Sequence, residues 1–183
     1  MLRKPITKED LLPPFQTVGE PGWADRLRHV LIDYEVPLPE SVPAELVTLR
    51  ESELGVRLPA ALREFYTTFG SVDFDGFQLY PVDALEPLTR AWFRQSLDVG
   101  QQARLSTLIA ISDSGSDNYI AIDPVSGTCY LCSHDPVGIS DEAASFDDLV
   151  RKAVIDLSWG YYGWPDPEVE RLATELKLDL FGR

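Results

Sequence analysis

The sequence predicts an α+β fold: a helical hairpin and flanking helices packed on a mainly antiparallel β-sheet. Three observations carry this. Apolar residues recur at helical spacing up to Gly70 and again after Ser145. Short apolar runs bounded by turn residues lie between those stretches, so helices, then antiparallel strands, then helices follow one another. With 183 residues and 44% hydrophobic content, the chain can bury one core and is short for two. A single domain over 1–183 is expected, with helices at both ends.

Thr7 and Asp10 resemble a capping box for a short helix that Pro13 and Pro14 end. A helix from about Trp23 to Tyr34 places Leu27, Val30, Leu31 and Tyr34 on one face. Val36-Pro-Leu-Pro then imposes an extended connection. Ser41 is expected to cap the next helix, with Pro43 in its first turn and Gly55 ending it. Pro59 opens the second arm of the hairpin, where Leu62, Phe65, Tyr66 and Phe69 make an apolar stripe before Gly70.

From Phe74 to Tyr80 the pattern turns β-like around Gly76, and 86–104 is partly helical (Leu88, Trp92, Leu97). Leu105 to Leu131 reads as a β-hairpin region. Its strands Leu108-Ile-Ala-Ile and Tyr119-Ile-Ala-Ile flank Ser112-Asp-Ser-Gly-Ser-Asp-Asn, a turn composition. A second turn, Asp123 to Gly127, leads into a strand from Thr128 to Ser133. Ser145 with Asp148 caps a helix whose Phe146, Leu149, Val150, Ala153 and Leu157 share a face. The glycines in Trp159-Gly-Tyr-Tyr-Gly-Trp164 suggest an aromatic-packed turn. Asp166 and Pro167 then start a last helix, with Val169, Leu172, Ala173 and Leu176 facing inward.

Composition narrows the function classes. A net charge of −14 argues against nucleic acid as a ligand, because phosphate binding needs clustered Lys and Arg. No apolar run is long enough to span a membrane, and no apolar stretch follows the basic start, so the cytoplasm is the expected location. Between 101 and 150 the acids Asp113, Asp117, Asp123, Asp135, Asp141, Glu142, Asp147 and Asp148 stand against the single base Arg104, half of the net charge. That stretch is either a solvated face or a field that attracts a basic partner.

Motifs that carry chemistry are few. Cys129-Tyr-Leu-Cys132 has metal or redox spacing, with His134 near. Zinc usually takes four ligands, and the chain has two Cys and two His in all. Positions three apart on a strand also point to opposite faces. The expectation is therefore no metal, with one Cys packed and the other exposed. Asp113-Ser-Gly-Ser-Asp117 lacks both EF-hand spacing and a P-loop lysine, and side-chain bonds to its own backbone explain it as a turn. His134-Asp135 offers a base beside an acid, but no nucleophile elbow accompanies it and adjacent side chains seldom converge, so no catalytic residue is assigned. Trp159, Tyr161, Tyr162 and Trp164 are either interface anchors or the lid of the core.

Glu51-Ser-Glu-Leu-Gly55-Val-Arg-Leu-Pro59, followed by Leu62, Phe65, Tyr66 and Gly70, resembles the opening helical hairpin of the SUKH superfamily (the SMI/KNR type). Gly115, Asp117, Asn118 and Tyr119, then Ile122-Asp123, Gly127, His134-Asp135 and Ser145-Phe146, follow in that family's order. The resemblance covers about 40–155; the first forty residues, 86–104 and the C-terminal tail depart from it. It implies a non-enzymatic protein-binding scaffold without a cofactor, of the kind found in bacterial immunity proteins and fungal cell-wall-synthesis regulators. The preferred reading is an immunity protein that covers a basic toxin domain. The alternatives are a regulatory interaction protein and a hydrolase using His134 and nearby carboxylates. The candidate partner surface comprises Asp113, Asp117, Asp135, Asp141 and Glu142, with the aromatic residues 159–164 beside it.

Overall fold

A computed structural model describes residues 19, 21–74, 77–91, 97–113, 118–162, 171 and 174, with side chains to Leu157 in the long last helix. The Thr7 cap, Gly76, Trp92, Asp117 and, of the helix expected after Asp166, the inward-facing Val169, Leu172, Ala173 and Leu176 lie outside the described residues; Arg171 and Thr174 of that stretch are helical.

The first helix, α1 (Trp23–Asp33), buries Trp23, Leu27, Val30 and Leu31. The helical hairpin follows as α2 (Ala44–Leu54) and α3 (Ala60–Phe69). Gly55 closes α2 at φ 69°, the left-handed conformation expected of a glycine stop. The Ser41 cap is not formed. Pro43, not Ser41, stands at the N-cap of α2, at φ −54° and ψ 136°, and it makes no side-chain capping bond. Proline's fixed φ sets the entry to the helix there. The Val42 N–H is drawn to the Tyr66 carbonyl instead, at 2.9 Å, which ties the connection to α3.

Two short strands, β1 (Gln78–Leu79) and β2 (Glu86–Pro87), flank a 3-10 turn at Val82–Ala84. Helices α4 (Leu88–Ala91) and α5 (Val99–Leu105) follow, the latter capped by the Asp98 carboxylate accepting from the Gln101 N–H at 2.8 Å. The meander β3 (Ile109–Asp113), β4 (Tyr119–Ile122), β5 (Cys129–His134) and β6 (Val137–Ala143) completes a six-stranded sheet. Every pairing is antiparallel; β1 and β2 share one edge of β3, and β6 forms the opposite end. The last described helix, α6 (Phe146–Tyr162), runs through Gly160, so a turn beginning at Trp159 is not what forms. At its start Ser145 Oγ accepts from the Asp148 N–H at 3.1 Å, the expected cap.

The sheet is buried on both faces. Ile109, Ile111, Ile120 and Ile122 face the large core shared with α1, α2, α3 and α6, where Phe65 meets Trp23, Phe69 and Phe146. Ala110 and Ala121 face a smaller core under α4 and α5, with Leu97, Leu105, Tyr130 and Ile139. Small alanines on that side let a short helix approach the sheet closely, while the isoleucines opposite fill the deeper core. Cys129 belongs to the first core and Cys132 to the second, and both are fully buried, which corrects the expectation that one would be exposed. Strand β6 had no counterpart in the sequence reading. Only Val137 and Ile139 alternate there before Ser140-Asp-Glu, and a sheet-end strand with one side toward solvent needs few apolar residues.

Candidate interaction surface

The residues singled out by the sequence divide into those that hold turns and those that face solvent. Glu51 is nearly buried, its side chain 8% exposed. One oxygen accepts from the Leu58 N–H at 2.7 Å and the other pairs with Arg63 of α3. A single carboxylate therefore closes the α2–α3 connection from both sides. Gly70, at φ 70°, lies so near the Glu40 carbonyl that a Cβ would strike it, and this fixes residues 39–43 against α3. Asp123 Oδ1 accepts from the N–H groups of Val125 (2.8 Å) and Ser126 (3.3 Å), and Gly127 at φ 78° completes that turn.

At the other end of the sheet, Asn118 Oδ1 accepts from the His134 N–H at 2.9 Å and lies 3.2 Å from its Nδ1. The imidazole is thus placed by Asn118, not by the neighbouring Asp135, and it stands exposed at the end of β5. That arrangement locks the β3–β4 connection to the β5–β6 turn and does not assemble a base with an orienting acid. The two thiols are equally remote from chemistry. Burial pushes Cys132 up to about 12 and Cys129 further still, so neither forms a thiolate near neutral pH.

The structure separates the acidic residues. Asp113 and Asp135 are exposed at the end of the sheet where β3 leaves and β5 turns into β6. Asp141 is exposed on β6, roughly 15–20 Å along the strand from Asp135. It lies 3.9 Å from Arg104, whose guanidinium rests 5.1 Å over the Tyr130 ring. Glu142 is not part of an open surface. Cys129 pairs with Ala143 and Tyr130 with Asp141, so Glu142 is the extra residue of a β-bulge. The bulge turns its carboxylate toward α6, where it pairs with Lys152, which is 5% exposed and also donates to the Glu142 carbonyl at 3.0 Å. Asp148 likewise pairs with the buried Arg151 at 2.6 Å. Part of the negative charge of 101–150 thus neutralises two cations that begin at residue 151. Among the described acids of that stretch, Asp113, Asp135 and Asp141 are the exposed ones, Asp141 with Arg104 beside it. Asp117, Trp164 and the side chains of Trp159, Tyr161 and Tyr162 lie outside the described residues.

A second surface feature had no counterpart in the sequence reading. Leu46 and Leu49 of α2 are 49% and 55% exposed, on the side away from the buried Val47. They border a groove of about 480 Å³ whose far wall is Pro81 and Val82. The signal was present in α2 as two apolar faces on one helix, but a helical stripe alone does not say which face meets the core.

Residues 43–152 match the family model described as SMI1 / KNR4 family (SUKH-1). The chain belongs to the SMI1/KNR4 family. The match spans both arms of the hairpin, the whole sheet and about the first two turns of α6, and excludes α1 and the tail, much as the resemblance implied. No curated protein matches the chain. An SMI1/KNR4 domain is in general a protein-interaction module, and in this one the residues of the family pattern hold turns: Glu51, Gly55, Gly70, Asn118, Asp123 and Gly127. Among the described residues no helix is long and apolar enough to cross a membrane.

Proposed function

We propose that this chain is a non-enzymatic immunity-type member of the SMI1/KNR4 family that binds a basic toxin domain and neutralises it by covering its working surface. The observation that carries the reading is the outward charge of an otherwise well-packed interaction module. Asp113, Asp135 and Asp141 stay exposed on the sheet's rim while the acids near α6 are consumed by buried cations. An acidic rim speeds encounter with a basic partner and fixes its orientation. Asp117, between β3 and β4, and the aromatic residues 159–164 are part of the proposed surface through their place in the sequence. The cytoplasm is the proposed site of action, where the reduced thiols are at home.

The experiment is co-expression with the product of the neighbouring gene, followed by titration calorimetry at low and high salt. Asp113→Asn, Asp135→Asn and Asp141→Asn together are expected to weaken binding by about 2 to 5 kcal/mol if one pair is desolvated, and to flatten the salt response. Affinity and salt response both unchanged would show these carboxylates to be a solvated face. A partner that is neither basic nor toxic would favour a regulatory role instead.

A further inference from the structure

The groove beside α2 has the makings of a peptide-docking site. Its long wall is Leu46 and Leu49, one helical turn apart on α2; its opposite wall is Pro81 and Val82 at the 3-10 turn. Two leucines about half exposed in one concavity differ from scattered surface apolar residues, because they leave contiguous apolar area for a partner to cover. The rim is acidic. Glu40, Glu53 and Asp83 surround the opening, and the single base among the lining residues is Arg50. That guanidinium is already engaged, its Nε donating to the Leu85 carbonyl at 2.9 Å and its Nη1 pairing with Glu53 at 2.6 Å. Among the described residues Glu40 and Asp83 pair with no base.

The walls are also held in place. The Val42 N–H bonds to the Tyr66 carbonyl, the Glu40 backbone is pressed against Gly70, and Arg50 bridges α2 to the carbonyl that ends the 3-10 turn. A preformed groove spares a partner the cost of ordering it. A second copy of the chain is a poor occupant, since it would bring acidic rim to acidic rim on a molecule of net charge −14. A small polar ligand is poorly served too: the carboxylates are exposed, and the lining donors Arg50 and Ser71 are spent on the Leu85 and Leu79 carbonyls.

We infer that this groove docks a short partner segment presenting two apolar side chains next to Lys or Arg, the apolar pair lying against Leu46 and Leu49 and the base meeting Glu40 or Asp83. The inference holds whether the partner is a toxin or a regulator, because it rests on the groove and not on the sheet's rim.

The test uses the full chain and a dye-labelled synthetic peptide built of leucine pairs separated by lysines, followed by fluorescence anisotropy. Two control peptides carry glutamate for lysine, or serine for leucine. The lysine-leucine peptide is expected to bind, both controls weakly. Leu46→Ser with Leu49→Ser should reduce affinity on the order of tenfold, from the apolar area the half-exposed leucines still have to lose. Glu40→Gln with Asp83→Asn should weaken it severalfold at low salt and little at high salt, where rim charges are screened. Asp135→Asn with Asp141→Asn should leave peptide binding unchanged, which separates this site from the rim proposed above. A melt of each variant accompanies the titrations, and the charge pair, fully on the surface, tests the idea even if the serine pair unfolds. Equal binding of all three peptides, or loss of binding only in the Asp135/Asp141 pair, overturns the inference. So does sedimentation showing self-association that the serine pair abolishes, since a second copy would then be the occupant.

Discussion

Replacing Glu51 by alanine should be among the most damaging single changes outside the apolar core. The side chain is 8% exposed and satisfies two groups that have no ready substitute: the buried Leu58 N–H and the Arg63 guanidinium, itself 28% exposed. Removing the carboxylate leaves a buried donor unsatisfied, which costs about 1–3 kcal/mol. It also strands a cation, and breaking a fully buried pair costs about 3–5 kcal/mol. Arg63 reaches solvent in part, so only a fraction of that second cost applies. The two together come to about 3 kcal/mol. In a domain of this size such a loss lowers Tm by about 6–12 °C. Glu51→Gln keeps an oxygen to accept from Leu58 and loses only the charge, so it should cost roughly half as much. The assay is chemical denaturation of wild type, both variants, Arg63→Met and the double variants, read as a cycle. Glu51→Ala within about 0.5 kcal/mol of wild type would refute the reasoning, because surface changes without a buried partner fall in that range. Equal losses for Gln and Ala would show that the backbone bond contributes nothing.

Two glycines with similar φ should respond differently. Gly55 has open space where a Cβ would go, so Gly55→Ala or Gly55→Val should cost only the left-handed penalty of about 1–2 kcal/mol. Gly70→Ala meets the Glu40 carbonyl as well and should cost clearly more; equal melting shifts for the two alanine variants would show that residues 39–43 are not held as described. The buried thiols set an alkaline limit. Their pKa values are raised in the folded state, so stability is intact below the unfolded thiol value of about 8.5 and falls as pH rises above it, by up to about 1.4 kcal/mol per pH unit for each thiol. A Cys129→Ala, Cys132→Ala variant should show a shallower alkaline slope, and native protein should react with a thiol reagent no faster than it unfolds. Because Cys129 and Cys132 lie in separate cores on opposite faces of the sheet, elemental analysis should find no stoichiometric zinc held between them. One zinc per chain, lost in Cys132→Ser, would contradict that placement.

The local elements were legible because their signals are local. Gly55 and Gly70 end helices because both positions need a positive φ, which favours glycine, and Leu62, Phe65, Tyr66 and Phe69 fall on one face whatever they meet. Ser145 and Asp148 cap α6 through atoms three residues apart, and Asp123 bonds the backbone next to it. What the tertiary structure decided was where those surfaces go. The runs Leu108-Ile-Ala-Ile and Tyr119-Ile-Ala-Ile announce strands, yet only packing shows that their alanines meet a second core under α5, which is why Cys132 is buried. Charge was decided the same way. Eight acids in a stretch of sequence look like one field, but a bulge in β6 turns Glu142 onto Lys152, and α6 brings Arg151 beside Asp148, so the rim keeps fewer of them. Likewise α2 carries apolar residues on two faces, and only the position of the 3-10 turn makes one of them a groove. Spacing along a chain determines which residues share a face; which face is covered, and which charge is neutralised, depends on segments far apart in sequence that the fold brings together.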